Sequence, residues 1–224
     1  MKNILAAIVL FISTGVGAQV GITGGASSLI AFGNSTPYAG FHLGLEIPRD
    51  DAVSFYGKFT HLFNQSKRSP YTAYASAIDP TNPVFFQQFG YDVKMNYNMI
   101  EGGTRYYLGN GFDYGFAAYG GSSMKLIFNT VTPDYDDFNS TDYRLDPAYD
   151  FAGSIFSIAA GLGGGIKYSF ARYGTFYLDM SIDYMIFSQQ SNDYIFSEVY
   201  QGTDKLWGPL IFGCSLGYRK DILW

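Results

Sequence analysis

Cysteine and charge are scarce in this 224-residue chain. Its single cysteine, Cys214, excludes an intrachain disulfide and a cysteine-built zinc cage. Charged residues make up 15% of the sequence and the net charge is −5, so nothing electrostatic points to nucleic acid as a partner. The only histidines are His42 and His61, and any histidine-based catalysis would rest on one of them. Beyond the N-terminus no long apolar run survives. Gly, Asn, Asp, Ser or a charge interrupts each one, well before the roughly 20 residues a helical membrane span needs.

What is abundant is aromatic and small: 20 Tyr, 20 Phe and 27 Gly. Mean hydropathy is nevertheless only +0.01. Aromatic richness with neutral mean hydropathy fits apolar and polar residues in alternation. The N-terminus, MKNILAAIVLFISTGVGAQ, has a positive Lys2, a short apolar core over Ile4–Ile12 and small residues before Gln19. It reads as a secretory signal over 1–18, so the mature domain of 19–224 is expected outside the cytoplasm.

Period-two alternation marks eight strands. They are placed at about 19–32, 38–47, 52–63, 91–108, 114–128, 154–170, 175–187 and 208–224. The last strand sets Leu210, Phe212, Cys214, Leu216, Tyr218, Lys220, Ile222 and Trp224 on one side. Glycine is frequent on the other. In the fourth strand Val93, Met95, Tyr97 and Met99 share one parity, and Ile100, Thr104, Tyr106 and Leu108 the other. Keeping Glu101 and Arg105 off an outer apolar face then requires a β-bulge near Met99–Ile100. The connections PRDD (48–51), GNGFD (109–113) and ARYG (171–174) are tight turns. The stretches 64–90, 129–153 and 188–207 are read as long loops, with a shorter one at 33–37.

Short turns on one side and long loops on the other are the asymmetry of an all-β, eight-stranded antiparallel transmembrane up-and-down β-barrel. A soluble sandwich has no reason to segregate its loops in this way. With the stretches YNMIEGGTRYYLG (97–109) and LGYRKDILW (216–224), the mature chain resembles the small porin-like outer-membrane barrels of the OmpA/OmpX type in Gram-negative bacteria. The resemblance implies an outer-membrane, cell-surface location. It also implies contact with outer-membrane lipid and lipopolysaccharide, and an assembly signal for the barrel assembly machinery in Tyr218, Ile222 and Trp224. A protein partner at the surface or in a secretion complex is compatible with it. Members of this broad group include anchors, adhesins, conduits and lipid-modifying enzymes, so the fold does not fix the function. A peptidoglycan-anchoring tail beyond Trp224 is not expected.

The inward faces are expected to carry Glu46, Lys58, Glu101, Arg105, Lys125, Lys167, Asp179, Asp183 and Arg219. Charges confined in a narrow barrel should pair, either as a polar plug or as the lining of a narrow path. Glycines 161, 163, 165, 213 and 217 leave room for a water-filled space or for Tyr56, Tyr119 and Tyr177. His42 faces the lumen, with Ser54 and Glu46 as partners for a hydrolytic arrangement. His61 faces lipid or the outer interface. The stretch 129–153 holds six aspartates (Asp134, Asp136, Asp137, Asp142, Asp146, Asp150) opposed within it only by Arg144, and it lacks the spacing of a calcium loop. The stretch 64–90 carries Lys67, Arg68, Tyr71, Tyr74, Phe85, Phe86 and Phe89, which either pack over the barrel mouth or form a recognition surface. No catalytic residue, cofactor or metal is assigned. The expected role is a non-enzymatic structural or surface-interaction barrel, with a narrow channel or a conduit for small hydrophobic molecules as the alternative.

Overall fold

A computed structural model describes residues 19–32, 37–113, 115–147, 149, 153–190 and 208–222. The signal expected at 1–18, most of the loop after 188 and Trp224 lie outside these. Among the described residues every regular element is a strand: β1 Val20–Ala31, β2 Tyr38–Pro48, β3 Val53–Ala77, β4 Phe86–Gly109, β5 Gly115–Tyr135, β6 Tyr143–Leu145, β7 Gly153–Phe170, β8 Gly174–Gln190 and β9 Leu210–Ile222. Eight of them pair antiparallel in a closed ring, β1-β2-β3-β4-β5-β7-β8-β9 and back to β1. Closure removes the open edges that a flat sheet would leave. The short β6 lies against the far end of β3 instead.

Alternation sorts each strand into an outer and an inner set. Outward residues such as Leu43, Leu45, Phe55, Leu162, Ile182 and Leu216 are half or more exposed. A ring of such side chains is untenable in water and is the face a bilayer covers. On β3 the belt runs from Phe55 to Phe63, about 26 Å of strand or roughly 20 Å along a tilted barrel's axis. Aromatic pairs border it at both ends. Phe41–Phe63 and Phe128–Phe156 have ring centroids 6.2 and 5.2 Å apart on the loop side. Tyr168–Phe170 and Phe176–Tyr218, at 4.6 and 5.3 Å, lie on the turn side. Such girdles sit at the headgroup levels. Lys220, the one charge on the outer face of β9, donates to the Arg172 carbonyl at 2.9 Å, tying the last strand to the β7–β8 turn.

Three expectations need correction. The stretch 64–90 is mostly strand: β3 runs on to Ala77 and β4 begins at Phe86, making a long hairpin beyond the belt. Likewise β5 continues to Tyr135 and β6 occupies part of the expected 129–153 loop. Finally, β4 has no bulge at Met99–Ile100. Its pairing with β3 is unbroken from Tyr97 to Tyr106, and its buried residues keep odd parity from Phe89 to Tyr107. The phase change belongs to β3, whose register shifts between Leu62 and Gln65 and again between Arg68 and Thr72. The first shift turns its inward set from Ser54, Thr60 and Leu62 to Ala73 and Ala75. Val93, Met95, Tyr97 and Met99 therefore face the interior, not lipid.

Candidate functional site

The interior is layered. At the turn end, Gly109 and Gly111 adopt positive φ (96° and 68°), and this tight turn folds Phe112 back into the mouth, where it is 1% exposed. Its ring lies 3.6 Å under the Arg219 guanidinium. Its carbonyl accepts from Arg219 Nη2 and Lys167 Nζ, both at 2.8 Å. Lys167 also donates to Ser169 at 2.9 Å.

Above this cap sits the charge network. Arg105 donates to Glu46 and to Asp179, each at 2.7 Å. Its guanidinium is stacked among Tyr56, Tyr119 and Tyr177 at 4.6, 5.0 and 5.3 Å. Glu46 also accepts from Ser54 at 2.5 Å, from Tyr107 and from Arg219 at 3.3 Å. Lys58 pairs with Glu101 at 3.2 Å. Lys125 bridges Asp183 and, at 3.7 Å, Glu101. One acid was missed by the sequence reading: Asp221, paired with Arg219 at 2.8 Å. With it the lumen holds, among the described residues, five cations (Lys58, Arg105, Lys125, Lys167, Arg219) and five carboxylates (Glu46, Glu101, Asp179, Asp183, Asp221), a balanced set. Two of the interior glycines make space for tyrosine. A Cβ at Gly165 would meet the Tyr119 hydroxyl at 2.7 Å, and one at Gly217 would collide with the Tyr177 ring.

His42 is fully buried in this layer. Its partners are Ser27 (2.8 Å) and Tyr177 (2.6 Å), not Ser54 and Glu46, which bond each other. Ser27 in turn bonds Ser215 at 2.8 Å. The neighbouring cavity is about 50 Å³ and is lined by Lys58, Glu101, Arg105, Ser123 and Lys125 among others. That is room for a few water molecules and not for a lipid substrate. His61 lies on the outer face, bonded to Asn98 at 2.7 Å and packed beside Phe41 and Phe63.

The loop-side half of the lumen is mainly apolar, with Asn129 and Ser157 as buried polar residues within it. Leu29, Tyr38, Leu62, Met95, Tyr97, Ile127, Ile155 and Ile211 are buried there, and the same cluster continues into the hairpin through Val131, Val93, Tyr91, Phe89, Ala73, Ala75 and Leu145. Beyond the belt two of the aspartates of 129–153, Asp134 and Asp136, find cations on other strands. Asp134 pairs with Lys94 at 2.5 Å. Arg68 pairs with Asp136 and, at 3.3 Å, with Asp92. The Arg68 hydrogen bond holds the Asp136 carboxyl below its ordinary range, and the two acids raise Arg68 in return. Of the aromatics expected in 64–90, Phe89 packs inside while Tyr71, Tyr74, Phe85 and Phe86 are exposed.

No protein-family model matches this chain, and no curated protein does. Solved structures do. A major outer membrane protein from Thermus thermophilus aligns at 12% identity over 92% of this chain and 100% of that one, with a TM-score of 0.50. Ail, the attachment invasion locus protein of Yersinia pestis, in complex with the heparin analogue sucrose octasulfate, aligns at 13% identity over 92% and 100%, TM-score 0.44. Neisserial surface protein A aligns at 10% over 91% and 96%, TM-score 0.44. The fold is that of a small outer-membrane β-barrel. The lipid-facing belt is what such a fold requires of any chain. The filled lumen and the sheet raised above the bilayer are what remain for function.

Proposed function

We propose that this chain is a closed, non-enzymatic outer-membrane barrel, mature from Gln19, that acts through the structure it holds above the membrane. The observation that carries this is the filled lumen. Phe112 covers the turn-side mouth, a charge-balanced network fills the middle and a buried apolar layer fills the loop-side half. An ion crossing it would have to break buried pairs and then pass an unhydrated stretch, and both steps are costly. A conduit for hydrophobic molecules would need a passage through the apolar layer, and the cavity that reaches Leu29, Leu62 and Met99 among the described residues is only about 50 Å³. The deciding experiment is single-channel recording of the refolded protein in planar bilayers, with folding verified by protease resistance. Silence is the expected result, for wild type and for a Lys58→Ala/Asp183→Ala variant alike. Reproducible steps in the wild type would overturn the closed reading.

The non-enzymatic part rests on His42, whose hydrogen-bond partners among the described residues are Ser27 and Tyr177 rather than a carboxylate, beside a cavity of only about 50 Å³. His42→Ala is expected to leave the lipid and lipopolysaccharide composition of the cell envelope unchanged by mass spectrometry. A lost modification would restore the enzyme reading. Outer-membrane insertion through Tyr218, Ile222 and Trp224, read by the barrel assembly machinery, is part of the same proposal. A Trp224 deletion should leave the precursor processed at Gln19 and stalled in the periplasm.

A further inference from the structure

The hairpin joining β3 to β4 ends in an apolar prong. Ala77 lies fifteen residues beyond Leu62, the last β3 residue paired to β2. That is about 50 Å of strand, or roughly 35 Å of height for a strand tilted as in such barrels. At this height no bilayer covers side chains. Even so, Ile78, Val84, Phe85 and Phe86 are 57, 51, 59 and 74% exposed.

The prong is preorganised. The Asp79 carboxylate accepts from the Thr81 amide at 2.8 Å and its hydroxyl at 2.7 Å, and Val84 N–H donates to the Asn82 side chain at 3.0 Å. Ala77 N–H donates to the Phe85 carbonyl, and Ile78 N–H to the Asp142 carbonyl, each at 2.9 Å. The four apolar side chains are thus held outward on a fixed turn, which lowers the ordering cost of contact. The surround is acidic. Asp79 lies in the turn, the Asp142 carbonyl accepts from Ile78 N–H and Asp146 N–H donates to the Tyr74 carbonyl, with Arg144 as the one basic residue in β6. The Asp79 carboxyl is held below its ordinary range by its Thr81 hydrogen bonds, so its charge persists in mild acid.

We propose that this tip is a docking prong for a protein partner that offers an apolar pocket rimmed by Lys or Arg. The proposal rests on the surface-interaction reading and names its site. The charge decides between occupants. An anionic bilayer attracts basic residues and would repel this one, whereas a basic rim around an apolar pocket complements it.

The test pans a phage-displayed random dodecapeptide library against the full refolded chain in detergent micelles, beside a Val84→Ser/Phe85→Ser/Phe86→Ser variant. A second variant, Asp142→Asn/Asp146→Asn, removes charge and leaves the apolar tip intact. Heat-dependent gel migration verifies the fold of each. The expected peptides combine apolar residues with Lys or Arg. They should bind the serine variant about tenfold more weakly or worse, and bind both the asparagine variant and the wild type in high salt more weakly. Peptides that bind the serine variant as well as the wild type would overturn the prong and leave the surface-interaction reading standing. Failure to enrich any tip-dependent peptide would overturn the prong as well. So would tip-dependent binding to phosphatidylcholine–phosphatidylglycerol vesicles, in favour of a lipid surface.

Discussion

Glu46 is the carboxylate on which the lumen network turns. It is 1% exposed and accepts from Ser54, Tyr107, Arg105 and Arg219. Glu46→Gln keeps the shape and most of the acceptors but changes the lumen from five against five to four carboxylates against five cations. Arg105 retains Asp179, and Arg219 retains Asp221 and the Phe112 carbonyl. Each nonetheless loses a charged partner where the neighbouring cavity, about 50 Å³, has room for only a few waters. Breaking a buried pair costs about 3–5 kcal/mol, and the surviving partners put the expectation at the lower end, about 3 kcal/mol. A comparison comes from Arg49, whose pair with Asp50 is 66% and 44% exposed. Arg49→Ala should stay within about 0.5 kcal/mol of wild type. The assay is equilibrium urea unfolding in lipid vesicles, read by far-UV circular dichroism and by heat-modified gel migration, with m compared between variants. A loss under about 1 kcal/mol for Glu46→Gln would refute the argument. The guanidiniums would then be hydrated, and the lumen would be wetter than its burial implies.

Three further outcomes follow from the same geometry. Phe112→Ala removes the ring under Arg219 and should cost about 3 kcal/mol or more, while bilayer recordings stay silent because the loop-side apolar layer is intact. Leu62→Ala, at the junction of barrel and hairpin, should cost about 2–5 kcal/mol. It should also raise amide exchange of Ala73 and Ala75 along with that of the barrel rim; exchange confined to the rim would mean the hairpin folds as a separate unit. The folded Asp136 carboxyl is depressed by Arg68, so the pair's contribution is full above the unfolded carboxylate value of about 4 and is lost as pH falls through the lower folded value. The protection of the Asp136 amide relative to its intrinsic exchange rate, its N–H donating to Gly90 at 2.9 Å, should hold from pH 7 to about pH 4 and fall below it.

Strand identity and face were legible wherever one side of a strand is apolar and the other polar. That holds for β2, with Phe41, Leu43, Leu45 and Ile47 outside and His42 and Glu46 inside, and for β8 along most of its length. It fails where both sides are apolar. Parity alone cannot say whether Val93, Met95, Tyr97 and Met99 meet lipid or a protein core, because a loop-side lumen filled with Leu, Ile and Tyr looks to a strand like a bilayer. Once those four were turned outward, Glu101 and Arg105 demanded a bulge that β4 does not have. The true register shift, after Leu62, falls in a polar run (Asn64 to Arg68) that reads as loop. Asp221 was passed over because it follows Arg219 at the very end of a strand. Phe112 sits in a turn motif, and only the backbone path reveals that the turn folds inward.

The division of the lumen follows from what each half must support. On the turn side the barrel ends in tight connections, and its interior has only to be filled with each charged group held by an ion pair or hydrogen bonds. A balanced network of long side chains does this while leaving every second position free for lipid-facing residues. On the loop side β3, β4 and β5 continue past the belt into water, where they need a core of their own. A polar network there would leave the raised sheet without apolar surface to bury. The buried cluster instead runs unbroken from Met99, Ala159 and Met185 in the barrel to Phe89, Tyr91 and Leu145 above it. The hairpin is therefore seated in the barrel's own packing, and the barrel wall fixes the direction in which its tip points. A loop tethered only by its ends could present Phe85 and Phe86 in many orientations; a sheet sharing the lumen's core presents them in one.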